Sequence, residues 1–282
     1  MSEESFLRRA LRNPREELER HRESIDNTVS EIRSRVSTLL NKDGVDDDDQ
    51  SGAHDLALEN IGEDIWVCTL PFSAYGLTIS SRMTIVRLPG RQLFIHSPLR
   101  LLDNLESVLN GLGDVRYVVC PNQFHYKFVR DYYVAYKDAE IYAAPGLANK
   151  RKELNFHGAL ADKPHDPWKD HLEHILFQGA PSLNEIVFFH KPSKTLILTD
   201  LASNVGPTSA PGLRTWVKLN GQYGEFGTTR AVKLLFKDKI RARRSLLHVI
   251  NWDFDKVVLA HGEIVTEQAK IKFMRAFQWL LD

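Results

Sequence analysis

The sequence is poor in cysteine and lacks the common signatures of nucleotide binding and serine hydrolysis. Its two cysteines, Cys68 and Cys120, lie far apart and have no CxxC spacing, so they indicate neither a disulfide framework nor a cysteine zinc site. This usage is typical of a reducing compartment, and we expect a cytoplasmic protein. No Gly-x-Gly-x-x-Gly segment, Walker loop or Gly-x-Ser-x-Gly elbow occurs, so nucleotide-driven and serine chemistry lack their usual signals.

Net charge and long apolar runs are also missing. The 37 basic residues equal the 37 acidic ones, so the overall field favours neither nucleic acid nor an acidic membrane surface as a partner. No segment approaches the roughly 20 apolar residues of a membrane span. The first thirty residues are rich in Arg and Glu and lack the apolar run of a signal peptide. The 43% of hydrophobic residues is enough for a sizeable core, and we expect a soluble globular protein.

Residues 1–42 predict a charged N-terminal helical extension. Asn13 and Pro14 form a helix start, with Asn13 as the cap and Pro14 at the first helical position. One narrow apolar seam follows at spacings of three and four residues, formed by Ile25, Val29, Ile32, Val36 and Leu39. We expect the seam to dock on the main domain. A coiled coil or a partner-binding helix is the alternative.

Residues 43–54 predict a flexible acidic linker, because their aspartates repel one another and glycines interrupt them. The main domain then occupies residues 55–282. In it, short β-rich runs such as "VRYVVC" (115–120) alternate with segments of helical spacing such as "AVKLLFKDKIRARRSLLHVINWD" (231–253). This alternation predicts a mixed α/β domain with helices covering the faces of sheets.

Several predicted strands are apolar until they end, and then present a polar residue of the kind that binds ligands. These residues are His96 in "LFIHSP", Asn122 and His125 in "VVCPNQFH", Asp200 in "LILTD" and His261 in "VVLAH". Ligand sites in α/β folds lie at such strand ends. Imidazole and carboxylate groups together suit zinc, iron or manganese. Taken singly, each histidine also fits a structural role, and the aspartate fits a helix cap.

Five blocks of the chain resemble, in order, the metallo-β-lactamase superfamily, and most closely an uncharacterised branch of it that carries a domain of unknown function. The blocks are "MTIVRLPGRQLFIHSPL", "VRYVVCPNQFHYKF", "AEIYAAPGLANKRKEL", "IVFFHKPSKTLILTDL" and "VVLAHGE". The resemblance spans residues 61–282. It implies an αββα sandwich, two mixed sheets face to face with helices outside, and a metal centre at one edge.

The resemblance also implies that one of the two usual metal positions has been lost. The superfamily motif His-x-His-x-Asp-His places Pro121 and Gln123 on its first two histidines, and neither is a normal metal ligand. Gly179 and Ala180 stand where the next histidine belongs. The three-histidine position therefore lacks its ligands.

The other metal position keeps a partial set. His125 replaces the motif aspartate, Tyr126 replaces its last histidine, Asp200 matches the bridging aspartate and His261 matches the final histidine. His96 stands in place of an early aspartate. The resemblance thus implies at most one ion, zinc or iron, held by His125, Asp200, His261 and Tyr126. A phenolate ligand favours ferric iron.

Two functions follow. The first is a metal-dependent hydrolase of a small-molecule substrate, because a single ion polarises carbonyl or phosphoryl oxygens. The alternative is a pseudoenzyme that binds no metal and acts as a binding or scaffold protein through its surface and its N-terminal helix. The sequence does not identify the substrate.

Two basic stretches have both a functional and a structural interpretation. Lys150 and Arg151 follow the turn Pro145-Gly146. The resemblance implies that Lys150 or Arg151 faces a substrate anion, and we expect both to line a pocket with His96 and Asn122; otherwise the two cations are solvated. The basic residues between 233 and 244 are typical of the solvated face of an amphipathic helix, so nucleic acid is not an expected partner.

Overall fold

The computed structural model describes residues 58–74, 77–160, 167–207, 209, 211–219 and 221–282. The helical extension predicted for residues 1–42 and the linker predicted for residues 43–54 lie outside these described residues. Both remain predictions.

The larger of the two main sheets has seven strands in chain order, β1-β2-β3-β4-β5-β6-β7. They are β1 Leu58–Gly62, β2 Ile65–Ala74, β3 Leu77–Leu88, β4 Gln92–His96, β5 Asp114–Cys120, β6 Glu140–Ala143 and β7 Gly158–Ala159. Strands β1 to β4 pair antiparallel, and β4 to β7 pair parallel. The carboxyl ends of β4, β5 and β6 therefore lie at one edge.

The second sheet has four strands in the order β13-β10-β9-β8. They are β8 Leu172–Leu176, β9 Ile186–His190, β10 Thr195–Ile197 and β13 Lys256–Val258. Because β10 and β13 pair parallel, residues that follow them emerge side by side. A small two-stranded sheet consists of β11 Ser203–Asn204 and β12 Phe226–Gly227.

The helices of the described part of the chain lie between these strands in sequence, except for the last one, which follows β13. They are α1 Asp103–Leu112, α2 Val129–Ala135, α3 Leu147–Lys150, α4 Pro211–Leu219, α5 Arg230–Leu235, α6 Lys239–Asn251 and α7 Ala269–Ala276. The stretch 231–253, which reads as one helical segment in the sequence, is divided between α5 and α6. Among the helices in the described ranges, none is long and apolar enough to cross a membrane.

Alternation along the strands sorts the side chains into three apolar layers. On β9, Phe188 joins the cluster that also contains Phe94 of β4, between the two sheets. Its neighbour Phe189 packs instead in the cluster with Leu246 of α6. Leu93 of β4 lies in a third cluster with residues of α1 and α2. Helices thus cover the outer face of each sheet, and the predicted αββα sandwich is confirmed.

Candidate metal centre

The loop after β5 is shaped by one buried amide. The Oδ1 atom of Asn122 accepts hydrogen bonds from the backbone N–H groups of Phe124 and His125, both at 2.9 Å. Such side-chain acceptors stabilise a tight turn. Asn122 is fully buried, so the turn is held from inside the protein, and it fixes the backbone that carries His125.

His125, Asp200 and His261 converge at the shared edge of the two sheets. The Nε2 atom of His125 lies 3.2 Å from Oδ2 of Asp200, and Nε2 of His261 lies 3.3 Å from Oδ1 of the same carboxylate. One ligand atom from each of the three residues lies within 4.8 Å of the others. The structure therefore brings together three of the four metal ligands expected from the sequence.

Each imidazole is oriented by a hydrogen bond to its other nitrogen. Nδ1 of His261 lies 2.7 Å from the backbone carbonyl of Ser80, which only accepts, so Nδ1 carries the proton. Nδ1 of His125 lies 2.7 Å from Oγ of Ser97, a residue held at a φ of 60°. Ring orientation through the second nitrogen is the usual arrangement for metal-binding histidines.

The donor set fits one divalent ion. In a neutral His261 protonated on Nδ1, the Nε2 lone pair faces an oxygen of Asp200, and two acceptors at that distance need a proton or a cation between them. Two ligands of a tetrahedral ion, with bonds of about 2.0–2.1 Å, lie about 3.3 Å apart. The separations of 3.2 and 3.3 Å, each to a different oxygen of Asp200, are close to that spacing, and all three ligand atoms lie within 4.8 Å of one another. Two imidazoles and a carboxylate are also a common catalytic zinc set.

Asn122 holds the carboxylate of Asp200, and Glu185 holds its backbone. Nδ2 of Asn122 donates to Oδ2 of Asp200 at 2.7 Å and to Oγ1 of Thr199 at 2.9 Å. The Glu185 carboxylate accepts from the backbone N–H groups of Thr199, Asp200 and Leu201 at 2.8, 2.8 and 3.1 Å. Glu185 is 0% exposed, so these donors replace its lost hydration.

The electrostatics of the cluster favour an ionised Asp200. Burial opposes ionisation, but His125 and His261 hold the pKa of Asp200 well below its usual range. Burial likewise opposes protonation of His261, yet Asp200 raises the pKa of its imidazole, while the nearby charge of Arg82 acts in the other direction. Burial, and then the Asp200 charge, raise the pKa of Glu185. The site thus holds one strongly acidic carboxylate between two imidazoles.

His96 lies under this cluster at the end of β4. It is 1% exposed and its ring meets Phe188 edge-on, with centroids 5.3 Å apart. Burial, aided by the nearby charge of His125, lowers the pKa of His96 to about 3. His96 is therefore a neutral, buried residue near the site. Its role as a pocket residue stays a prediction.

Lys150, at the end of α3, and Arg151, which follows it, pack against the loop that carries His125 and Tyr126. The hydroxyl of Tyr126 accepts a hydrogen bond from Nη1 of Arg151 at 3.1 Å, and the guanidinium lies 4.9 Å above the ring. Nζ of Lys150 donates to the Gln123 carbonyl at 3.1 Å and lies 5.2 Å from the Phe124 ring centroid. The roles of Tyr126 as a ligand and of the two cations in binding a substrate anion stay predictions.

Two residues that support the candidate metal centre, Glu185 and Ser80, are not predicted from the sequence. Glu185 precedes the apolar run of β9, where an acidic residue is typical of an exposed strand start. Ser80 acts through its backbone carbonyl, which side-chain patterns do not reveal. The signal available for Glu185 was its isolation, a single acid between Leu183 and an apolar strand.

Solved structures of metallo-β-lactamases share this fold. DIM-1 metallo-β-lactamase exposed to ceftazidime matches with a TM-score of 0.57 and 14% identity over 81% of this chain and 99% of that one. FIM-1 from Pseudomonas aeruginosa in its mono-zinc form matches with a TM-score of 0.58 and 13% identity over 82% and 97%. The metal-soaked Flv1 flavodiiron core from Synechocystis gives 0.56 and 13% over 82% and 62%. These similarities establish the metallo-β-lactamase fold.

The family model "Domain of unknown function (DUF4336)" matches residues 62–222. Because the match spans more than half of the chain, the protein belongs to this family. A search of the curated proteins gave no match. The expected resemblance to the metallo-β-lactamase fold, through a branch with a domain of unknown function, is thereby confirmed.

Proposed function

We propose that this protein holds one metal ion on His125, Asp200 and His261 and uses it to hydrolyse a small-molecule substrate. The observation that supports the proposal best is the convergence of two Nε2 atoms on one carboxylate, at 3.2 and 3.3 Å. The mono-zinc FIM-1 structure shows that one ion is compatible with the fold.

The protein's own groups would prepare this site. An ion held there supplies Lewis-acid chemistry toward a carbonyl or phosphoryl oxygen. Asp200 provides the negative charge that offsets the ion. Asn122 orients that carboxylate, and Glu185 holds the backbone of Asp200. Ser80 and Ser97 direct the two imidazoles. His125, Asp200 and His261 would supply three protein ligands, the number typical of catalytic zinc sites.

A screen of esters, thioesters and phosphodiesters tests the proposal. The full chain is assayed after loading with zinc, iron or manganese, and again after chelation. We expect hydrolysis of one class to require the ion and to be lost in a His125→Ala variant that still folds. Hydrolysis that survives both chelation and His125→Ala would contradict a reaction at this site.

A second function is supported by the same distances. Protons on the two imidazoles can also form hydrogen bonds to Asp200, so the cluster is equally suited to a metal-free His-Asp-His ion pair network. The protein would then be a non-catalytic binding or scaffold protein that acts through its surface and its N-terminal helix. A folded chain that takes up no metal and hydrolyses none of the three classes supports this alternative.

A further inference from the structure

Arg82 of β3 is a partly buried cation with unused hydrogen-bond donors. Its Nη1 atom donates to the backbone carbonyl of Leu259 at 2.7 Å, and its Nε atom donates to Oγ1 of Thr69 at 3.1 Å. Within the described residues, Nη2 makes no hydrogen bond. Two neutral acceptors therefore fix the guanidinium and leave the N–H groups of Nη2 available.

Arg82 is next to the candidate metal centre. The carbonyl of Ser80, two residues earlier on β3, accepts the hydrogen bond that orients His261. Leu259, two residues before His261, accepts from Arg82. Two hydrogen bonds thus tie positions 80–82 to positions 259–261, and they hold the guanidinium beside the chain segment that presents His261.

Arg82 has no acidic partner among the described residues, unlike Arg87. Arg87, on the same strand, lies 2.6 Å from Asp64 and stacks over Trp66 at 5.0 Å. In the described part of the chain, no carboxylate lies within ion-pair distance of Arg82; Glu59 acts on it only from farther away. Removing a cation from water is costly unless an anion or several acceptors compensate. An anion from outside the protein would supply that compensation.

We propose that Arg82 binds an oxyanion of the substrate, a phosphate or carboxylate group, beside the metal centre. A guanidinium N–H group forms charge-assisted hydrogen bonds with either group. The assignment deepens the proposed function and rests on it, since it places a substrate anion next to the ion on His125, Asp200 and His261. It predicts that the substrate is negatively charged near the bond that is cleaved.

The test uses inorganic phosphate and acetate as probes of the full chain, with and without zinc. Binding is followed by the amide chemical shifts of residues near Arg82 in NMR titrations. The variants are Arg82→Met, which removes the charge, Arg82→Lys, which keeps it without the fork, and Arg87→Met as the matched control from the same strand. Arg82→Gln replaces Arg82→Met if the latter does not fold.

We expect Arg82→Met or Arg82→Gln to weaken binding of the preferred probe about tenfold or more, and Arg82→Lys to weaken it less. Arg87→Met should leave it unchanged. A stronger response to phosphate than to acetate assigns a phosphoryl group, and the reverse assigns a carboxylate.

Two results would overturn the assignment: a wild-type chain that binds neither probe, and a folded Arg82→Met or Arg82→Gln variant that binds as the wild type does. Loss of stability without loss of affinity would assign Arg82 only the structural tie to Leu259. Zinc content is measured separately. A chain that takes up no zinc but needs Arg82 for phosphate binding contradicts the metal site alone, whereas a zinc-loaded chain indifferent to Arg82 contradicts the anion site alone.

Discussion

The carboxylate of Glu185 accepts a 2.8 Å hydrogen bond from the backbone N–H of Asp200. The residue that both histidines contact is therefore held in place by a second, fully buried acid. Glu185→Gln introduces an amide N–H₂ group among backbone donors, and we expect it to lower the free energy of unfolding by about 2–4 kcal/mol. Zinc affinity should fall about 10- to 100-fold, as when support for a metal ligand is lost.

Chemical denaturation and competition with a zinc indicator measure these two effects of Glu185→Gln. Glu173→Gln is the matched control, because Glu173 accepts a hydrogen bond from Trp252 at 2.7 Å on another part of the second sheet. Equal zinc affinities for the Glu185 variant and the wild type would show that Glu185 does not position Asp200.

A nearly isosteric substitution of Asn122 tests its contact with the carboxylate of Asp200. Asn122→Asp keeps the oxygen that accepts from Phe124 and His125, but places a second oxygen against Asp200, where Nδ2 now donates at 2.7 Å. Repulsion between buried carboxylates should destabilise the fold at neutral pH by on the order of 3 kcal/mol. Thermal unfolding of Asn122→Asp beside Asn122→Ala measures it. A variant as stable as the wild type would mean that the Asn122–Asp200 contact is unimportant.

Gly262 shapes the backbone immediately after His261. It has a φ of +93°, and a Cβ atom there would collide with the carbonyl oxygen of Asn204. Gly262→Ala should therefore cost more than about 2 kcal/mol and weaken zinc binding by displacing His261. Gly90→Ala is the control, because Gly90 has a φ of +72° with open space around its Cβ position. Equal destabilisation by the two substitutions would argue against a steric requirement at Gly262.

Acid should destabilise the protein through the buried residue His190. Burial, followed by the charge of His171, lowers the pKa of His190 from 6.5 to about 4 against the opposing effect of Asp64. Below pH 6.5, His190 binds a proton in the unfolded chain but not in the folded chain. The free energy of unfolding therefore decreases as the pH falls from 6.5 toward 4. At about 1.4 kcal/mol per pKa unit, the loss from this group is about 3 kcal/mol.

The stability of a His190→Gln variant should therefore depend less on pH between 6.5 and 4. Urea unfolding at several pH values measures the slope. A slope identical to that of the wild type would show that His190 does not titrate as its burial indicates.

The sequence pattern indicates which side chains meet at the edge of the sandwich, Asn122 included, but it does not indicate the contacts that Glu185 makes behind them. The positions of His96, His125, Asp200 and His261 followed from apolar strands that end in polar residues, a local pattern. Glu185 acts on Thr199 to Leu201, which are 14 to 16 residues away, and only the pairing of β9 with β10 brings them together. Long-range contacts of this kind leave no periodic signal.

In the segment 231–253 the local pattern predicts the type of element but not where it breaks. Its spacing indicates one helix, whereas the structure divides it into α5 and α6. Asp238 caps α6 by accepting from the N–H of Arg241 at 3.0 Å. The N–H groups of Lys237 and Asp238 donate to the carbonyl of Gly179 in a distant loop. A tertiary contact thus divides a stretch whose local propensity favours one helix.

The most direct test of the account is the metal content of the full-length chain after exposure to zinc, iron and manganese and removal of free ions. Asp200→Asn keeps the size of the carboxylate but removes its charge, and His171→Gln removes a histidine outside the cluster as a control. We predict about one ion per chain in the wild type and in His171→Gln, and none in Asp200→Asn. A folded wild-type protein without an ion, or an ion content that Asp200→Asn leaves unchanged, would contradict it.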